Sequence, residues 1–206
     1  MRADDRTDDG SRRPAPIPLK IVVAGGFGVG KTTLVQSVSE IGPLSTDEPL
    51  TVASVGVDDL RAVPDKTTTT VALDFGRISV GDSLVLYLFG TPGQDRFWFM
   101  WDELVRGAVG GVVLVDVRRI EDSFAAVDYF ESRDVPFVVA MNAFPGADRY
   151  RPEAVHDALR LRTDVPVVSM DARVRGSCLT TIVRLVEHAL DRSNVVQFPR
   201  SAPFSR

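Results

Sequence analysis

One run of eight residues constrains this chain more than any other feature. Gly25 to Thr32 reads GGFGVGKT and fits the pattern GxxxxGK[ST], with an apolar run at 19–24 before it and helical apolar spacing after Lys31. Glycines let the backbone curl so that successive N–H groups point at one anion, and the following helix directs its positive dipole end at the same place. The run therefore predicts a strand, a phosphate-binding loop and a helix, in that order.

The loop assigns a role to each of its side chains. Lys31 is one of only three lysines among 24 basic residues, and its ammonium is expected to reach the β- and γ-phosphates of a nucleotide. The Thr32 hydroxyl is expected to coordinate Mg²⁺. The predicted phosphate-binding residues of this loop are Phe27, Gly28, Val29, Gly30, Lys31, Thr32 and Thr33.

Strand-like and helix-like segments alternate along residues 17–191, which predicts an α/β domain with a mostly parallel sheet covered on both faces. Segments 71–80 and 83–89 flank Gly81-Asp82 and predict a hairpin that adds one antiparallel strand. Residues 1–16 and 192–206 lack apolar periodicity, so we expect a flexible N-terminal arm and a C-terminal tail.

Composition excludes several classes of protein. The net charge is −4, from 24 basic and 28 acidic residues, which argues against nucleic acid as the main partner. The longest apolar runs are far shorter than the roughly 20 residues of a membrane span, so no direct membrane insertion is expected. A single cysteine, Cys178, cannot build a disulfide framework. These features predict a cytoplasmic protein.

A second motif narrows the class. Phe89-Gly90-Thr91-Pro92-Gly93-Gln94 resembles the DxxGQ switch of Ras-like small GTPases. The resemblance implies a three-layer P-loop NTPase fold, the Ras-like G domain, with a six-stranded sheet. It also implies that the Gly93 N–H meets the γ-phosphate and that Gln94 is the catalytic residue, orienting the attacking water.

Two further segments match the family only in part. The threonines of 67–70 stand where Ras-like GTPases supply a metal-binding threonine, which implies Thr69 or Thr70 as a metal ligand beside Thr32. Residues 142–145 read NAFP where the family has Asn-Lys-x-Asp, so only Asn142 matches. Residues 169–173 read SMDAR where the family has Ser-Ala-Lys. The resemblance implies that the missing guanine-reading carboxylate comes from Asp171 or Asp148, and the implied guanine-binding residues are Asn142, Phe144, Asp171 and Ala172.

Taken together, the sequences of these motifs resemble those of the D-component GTPases of actinobacterial conservons, which are distantly similar to the bacterial gliding-motility GTPases. That resemblance implies GTP and GDP as ligands, Mg²⁺ as cofactor, and a role in bacterial signalling. It also implies a roadblock-type regulator and a membrane sensor kinase-like protein as partners, which would recruit the chain to the membrane.

The sequence thus predicts a GTP-binding switch with slow hydrolysis. Two departures from the family predict the slow rate. Phe27 stands where a glycine normally lies close to the γ-phosphate, and Gly90 stands where an aspartate normally supports Mg²⁺. Two alternatives stay open: a nucleotide-binding module without turnover, and a P-loop ATPase or kinase acting on adenine nucleotide.

Overall fold

The computed structural model describes residues 15–42, 73–92 and 100–196. Six strands alternate with helices along the chain. The strands are β1 Ile17–Gly25, β2 Asp74–Val80, β3 Leu84–Gly90, β4 Gly110–Val115, β5 Phe137–Asn142 and β6 Val167–Met170. The helices are α1 Lys31–Val38, α2 Trp101–Val105, α3 Phe124–Ser132, α4 Pro152–Ala158 and α5 Arg175–Val196.

The strands form one sheet in the order β2-β3-β1-β4-β5-β6. Neighbouring strands are parallel except for the antiparallel pair β2–β3. This confirms the predicted six-stranded α/β fold. Because parallel strands present their carboxyl ends at one edge, the segments that follow β1, β4, β5 and β6 gather along that edge, where such sheets bind ligands.

The hairpin differs from its prediction by one residue. Val80 pairs with Leu84, so the loop is 81–83 rather than the expected Gly81-Asp82. A one-residue change in register moves every side chain of a strand to a different cross-strand neighbour. The observed register sets Asp74 opposite Gly90, at the ligand edge of the sheet.

Two apolar layers cover the sheet. On one face, side chains of β1, β3, β4 and β5 pack against α1 and α5. On the other face, β1, β4 and β5 pack against α2, α3 and α4. Every residue of β4 and β5 is buried, which explains why both strands are almost continuously apolar in sequence.

Two helices have notable bounds. A 3-10 segment, Val117–Ser123, which contains non-helical dihedrals at Arg119, precedes α3, so α3 begins only at Phe124. The helix α5 runs to Val196, so residues 192–196, which were expected in the C-terminal tail, are helical. In the described part of the chain, no helix combines the length and hydropathy needed to span a bilayer.

Candidate nucleotide-binding site

The glycine run forms the turn between β1 and α1, as the sequence predicted. Gly28 and Gly30 have φ values of 70° and 106°, in the left-handed region that favours glycine. Gly30 is also needed for space, because a Cβ atom there would lie 2.6 Å from the Asn142 side-chain nitrogen. The loop and the end of β5 are therefore packed against each other.

The Lys31 ammonium is held inside the loop. Its Nζ donates to the carbonyl oxygens of Gly25 and Gly26 at 2.8 and 2.7 Å, and the residue is 8% exposed. Burial lowers the pKa of Lys31 from 10.5 to about 8, although the nearby Asp74 carboxylate acts in the opposite direction. An anion bound in the loop would compensate this buried charge.

Asp74 supplies a carboxylate that the sequence analysis did not anticipate. The Thr32 hydroxyl donates to Asp74 Oδ2 at 2.7 Å, which joins the first turn of α1 to the start of β2. A Cβ atom on Gly90 would lie 2.8 Å from the Asp74 Cβ, so the Asp74 side chain fills the space beside Gly90. Asp74 therefore places a carboxylate beside position 90, where the sequence has glycine in place of the family's aspartate.

Asn142 connects three loops. Its Nδ2 donates to the Val29 carbonyl at 2.8 Å, and its Oδ1 accepts from the Ala172 N–H at 2.9 Å. The side chain is buried, so both hydrogen bonds are shielded from water. Asn142 thereby fixes the phosphate loop against the segments that follow β5 and β6.

Asp171 is already paired within its own loop. Its Oδ1 accepts from the Arg173 backbone N–H at 3.0 Å and from Arg173 Nε at 2.9 Å, and its Oδ2 accepts from Nη2 at 2.8 Å. These hydrogen bonds lower the pKa of the Asp171 carboxyl to about 2. The other candidate carboxylate, Asp148, lies in the segment between β5 and α4 and lines the larger of two cavities.

Three charged residues after β4 form a group that was not predicted from the sequence. Asp116 is 3% exposed and accepts from Arg118 Nε and Nη2 at 2.9 and 2.7 Å. The Arg118 guanidinium lies over the Phe144 ring, with Cζ 4.2 Å from the ring centroid. Arg119 lies 3.6 Å from the same carboxylate and donates to the Phe27 carbonyl at 3.2 Å. The group links the phosphate loop to the loop after β5, and the sequence signal was a charged cluster directly after a buried strand.

Two adjoining cavities lie beside these loops. The larger has a volume of about 660 Å³ and extends between the segments that follow β5 and β6. The smaller, of about 140 Å³, lies between the phosphate loop and the same two segments. Residues common to both walls are Asn142, Ala143, Phe144, Pro145 and Arg173. The predicted guanine-binding residues lie in these walls. The larger cavity is lined by Asn142, Phe144 and Asp171, and the smaller cavity is lined by Asn142, Phe144 and Ala172.

Some predicted site residues are not in the described part of the chain. Gly93, Gln94, Thr69 and Thr70 lie outside it. Phe27 lies within the described part and is 69% exposed, so its ring does not pack into the protein. Within residues 15–42, 73–92 and 100–196, no group of three or more His, Cys, Asp or Glu residues is arranged to hold a metal ion.

The glycine loop after β1, its buried lysine and the strand order define a nucleotide-binding P-loop NTPase with the fold of a G domain. The family model described as a conserved hypothetical ATP binding protein matches residues 23–192. The chain belongs to that family.

Curated relatives include Ras-related proteins. The chain is 26% identical to human Rab-7b over 187 residues, which cover 85% of this chain and 84% of Rab-7b. It is 30% identical to Rab-18-B of Danio rerio over 110 residues, or 53% of this chain and 45% of that one. It is also 29% identical to an uncharacterized protein of Methanocaldococcus jannaschii, over 60% of this chain and 69% of the relative.

Solved structures with the same fold include parts of the T. maritima FeoB iron transporter. The FeoB G domain superposes with a TM-score of 0.57 at 18% identity, covering 86% of this chain and 99% of that domain. The FeoB cytosolic domain in GDP form I gives a TM-score of 0.62 at 18% identity and 85% coverage of this chain. The chain spans 64% of the cytosolic domain in its apo form.

Proposed function

We propose that the protein is a guanine-nucleotide switch that binds GTP with Mg²⁺ and hydrolyses it slowly to GDP. The observation that carries the proposal is the convergence of three features on one loop: the buried Lys31 ammonium, the Thr32–Asp74 pair and the Asn142 amide. The similarity to Rab proteins and to the FeoB cytosolic domain solved in a GDP form supports guanine as the base.

The Thr32–Asp74 pair suits a magnesium ion. A hydroxyl and a carboxylate are hard oxygen donors, which Mg²⁺ prefers, and they lie beside the loop where phosphate oxygens would complete the coordination. Thr32 would hold the metal, and Asp74 would support it. Thr69 or Thr70 remains the proposed further ligand. Bound Mg²⁺ neutralises the charge that develops on the transferred phosphoryl group.

The remaining chemistry is assigned to the phosphate loop and to Gln94. Residues 27–33 and Gly93 would bind the phosphates, and Gln94 would orient the attacking water. Slow hydrolysis is proposed to depend on Phe27, since Asp74 would supply the carboxylate that Gly90 lacks. A phenyl ring at the mouth of the loop would crowd Gln94 or an arginine offered by a partner.

The base is proposed to lie among Asn142, Phe144, Asp171 and Ala172, at the wall that both cavities share. The description of the family as ATP binding favours one competing function, an adenine-nucleotide ATPase or kinase. A module that binds nucleotide without turnover is the other competitor.

The cellular role is proposed from the conservon resemblance. The switch would act in bacterial signalling in the cytoplasm, with a roadblock-type regulator and a membrane sensor kinase-like protein that recruit it to the membrane.

The base is tested by extracting the nucleotide from purified protein and determining its base and its number of phosphates. We expect GDP or GTP. Binding of both GDP and ADP is then measured for the parent, for Lys31→Ala and for the control Lys20→Ala, whose ammonium donates to the carbonyls of Glu103 and Arg106 instead. Lys31→Ala is expected to lose roughly 100-fold or more in affinity for nucleotide. Equal binding of ADP and GDP by the parent would instead favour the adenine-nucleotide ATPase or kinase.

Turnover is tested by single-turnover GTP hydrolysis of the parent, Phe27→Gly and Gln94→Ala. We expect a slow parent, a faster Phe27→Gly variant and the slowest rate for Gln94→Ala. No phosphate release by any of the three would leave the binding module as the function. A Phe27→Gly variant no faster than the parent would refute the crowding argument.

A further inference from the structure

Arg173 occupies a position that no functional role yet explains. It follows β6 by three residues and precedes α5, at the ligand edge of the sheet. Among the residues that the structure describes, it is the charged side chain common to both cavities. Its side chain is 58% exposed, so the guanidinium is open to a ligand entering the cleft.

The guanidinium is held in one orientation by Asp171. Two hydrogen bonds, from Nε and Nη2 of Arg173, fix the guanidinium against that carboxylate, and the Arg173 backbone N–H donates to the same side chain. The Asp171 backbone is fixed in turn, because its N–H donates to Ser177 Oγ at 3.0 Å. The pair leaves the Nη1 donors and the second Nη2 proton available on the edge that faces away from Asp171.

This donor edge matches one purine and opposes the other. Guanine presents two acceptors, O6 and N7, on its major-groove edge, and a bidentate arginine is their commonest specific partner. Adenine presents an amino group in place of O6, so an arginine there meets a donor instead of an acceptor. Direct reading of guanine by both oxygens of Asp171 would instead require Oδ1 to release one of the two hydrogen bonds that it accepts from Arg173.

We propose that Arg173, oriented by Asp171, is the specificity-determining residue that reads the O6/N7 edge of guanine in place of the missing aspartate of the guanine motif. Asp171 is then a positioning residue. The proposal rests on the guanine specificity proposed above and names how that specificity arises.

The test measures the dissociation constants of four diphosphates with Mg²⁺ by calorimetry: GDP, IDP, the diphosphate of 2-aminopurine riboside, and ADP. IDP retains O6 but lacks the 2-amino group, whereas the 2-aminopurine nucleotide retains the amino group but lacks O6. The parent is expected to bind GDP and IDP alike and the 2-aminopurine nucleotide about 10- to 100-fold more weakly. These measurements need no variant, so they do not depend on the folding of any mutant.

Variants then locate the recognition. Arg173→Ala is expected to weaken GDP and IDP about 10- to 100-fold and to weaken the 2-aminopurine nucleotide, which keeps only the N7 acceptor, by much less. Arg173→Lys, which keeps the charge but loses the fork, should lose most of the same preference. Asp171→Ala should also reduce the preference for GDP and IDP over the 2-aminopurine nucleotide, but by less than Arg173→Ala. Arg184→Ala, an exposed arginine paired with Glu187 on α5, is the matched control.

Each contrary outcome has one meaning. A parent that binds IDP more than tenfold more weakly than GDP reads the 2-amino group, which overturns the proposal in favour of a carboxylate. Equal losses for GDP and the 2-aminopurine nucleotide in a folded Arg173→Ala variant also overturn it. Equal affinity of the parent for GDP and ADP refutes the guanine switch itself, which distinguishes the two failures.

Discussion

Asp74 and Gly90 share one space on neighbouring strands, so we expect their substitutions to depend on each other. Gly90→Asp alone should destabilise the fold, because its Cβ would lie 2.8 Å from the Asp74 Cβ. Asp74→Gly alone should fold but lose about 10- to 100-fold in Mg²⁺-dependent nucleotide affinity, the usual cost of removing an outer partner of a metal site. The double variant should recover much of both properties.

Nucleotide affinity with Mg²⁺ and with EDTA, together with thermal unfolding, tests this pair of positions. The Asp74→Gly loss should vanish in EDTA. A loss of equal size in EDTA would mean that Asp74 acts on the loop and not on the metal.

The buried Lys31 predicts a pH dependence of nucleotide binding. Burial lowers its pKa to about 8, so the free protein loses this charge as the pH rises through that value. A bound phosphate favours the charged form and raises the pKa again. Binding above pH 8 should therefore take up a proton, and affinity should fall between about pH 8 and 10. Calorimetry at pH 8.5 in two buffers of different ionisation enthalpy measures the uptake, and identical heats in both buffers would contradict it.

The 3-10 segment after β4 depends on a single carboxylate. Asp116 accepts the Arg118 backbone N–H at 3.0 Å as well as both arginine side chains. Asp116→Asn should cost about 1–3 kcal/mol of unfolding free energy, less than for a fully buried pair because both arginines are about half exposed. It should also weaken nucleotide binding, since Arg119 holds the Phe27 carbonyl of the phosphate loop.

The sign of the acid dependence follows from the same contacts. The hydrogen bonds from Arg118 lower the pKa of Asp116, so its contribution to stability is present above the unfolded pKa of about 3.9 and is lost as the pH falls further. Urea unfolding at pH 7 and pH 3 should show that the difference in unfolding free energy between the parent and Asp116→Asn is smaller at pH 3. Glu103→Gln, which removes the exposed partner of Arg106, is the control with little effect.

The extent of α5 predicts where the folded domain ends. Arg192 pairs with Asp134 in the turn before β5 and lies 3.8 Å from Asp164 in the turn before β6. A chain that ends at residue 191, the predicted boundary of the domain, should therefore melt at a lower temperature than one that ends at residue 196. Arg192→Ala in the longer chain should reproduce part of the difference, and equal melting temperatures for the two chains would restore the predicted boundary.

The alternation of strands with helices and the phosphate loop were predictable because each depends on local sequence. The glycine pattern, the apolar runs of β4 and β5 and the alternation of helices with strands all lie within short windows. Asp74 was not predictable, since its place depends on the hairpin register. With a two-residue loop, position 74 would face Phe89 instead of Gly90, and only the three-residue loop brings the carboxylate to Thr32.

The Arg118–Phe144 and Arg119–Phe27 contacts escaped prediction for a related reason. Each joins residues far apart in the chain, and neither leaves a periodic trace in the sequence. The 3-10 segment that precedes α3 has a cause in the local sequence. Asp116 caps the Arg118 N–H, and this side-chain hydrogen bond competes with regular helix at the segment's start.

The shared space of Asp74 and Gly90 also bears on how such a site could evolve. Under the proposed function, an aspartate on β3 and an aspartate on β2 would be alternative ways to supply one carboxylate, and a lineage could not pass between them by single steps without harm. One intermediate has two side chains in the space for one, and the other has none. Lineages that adopted the β2 arrangement would therefore be expected to keep it. A sequence search that requires the aspartate at the end of β3 would miss these lineages. A glycine at that position together with an acidic residue at the start of β2 would identify them as a group.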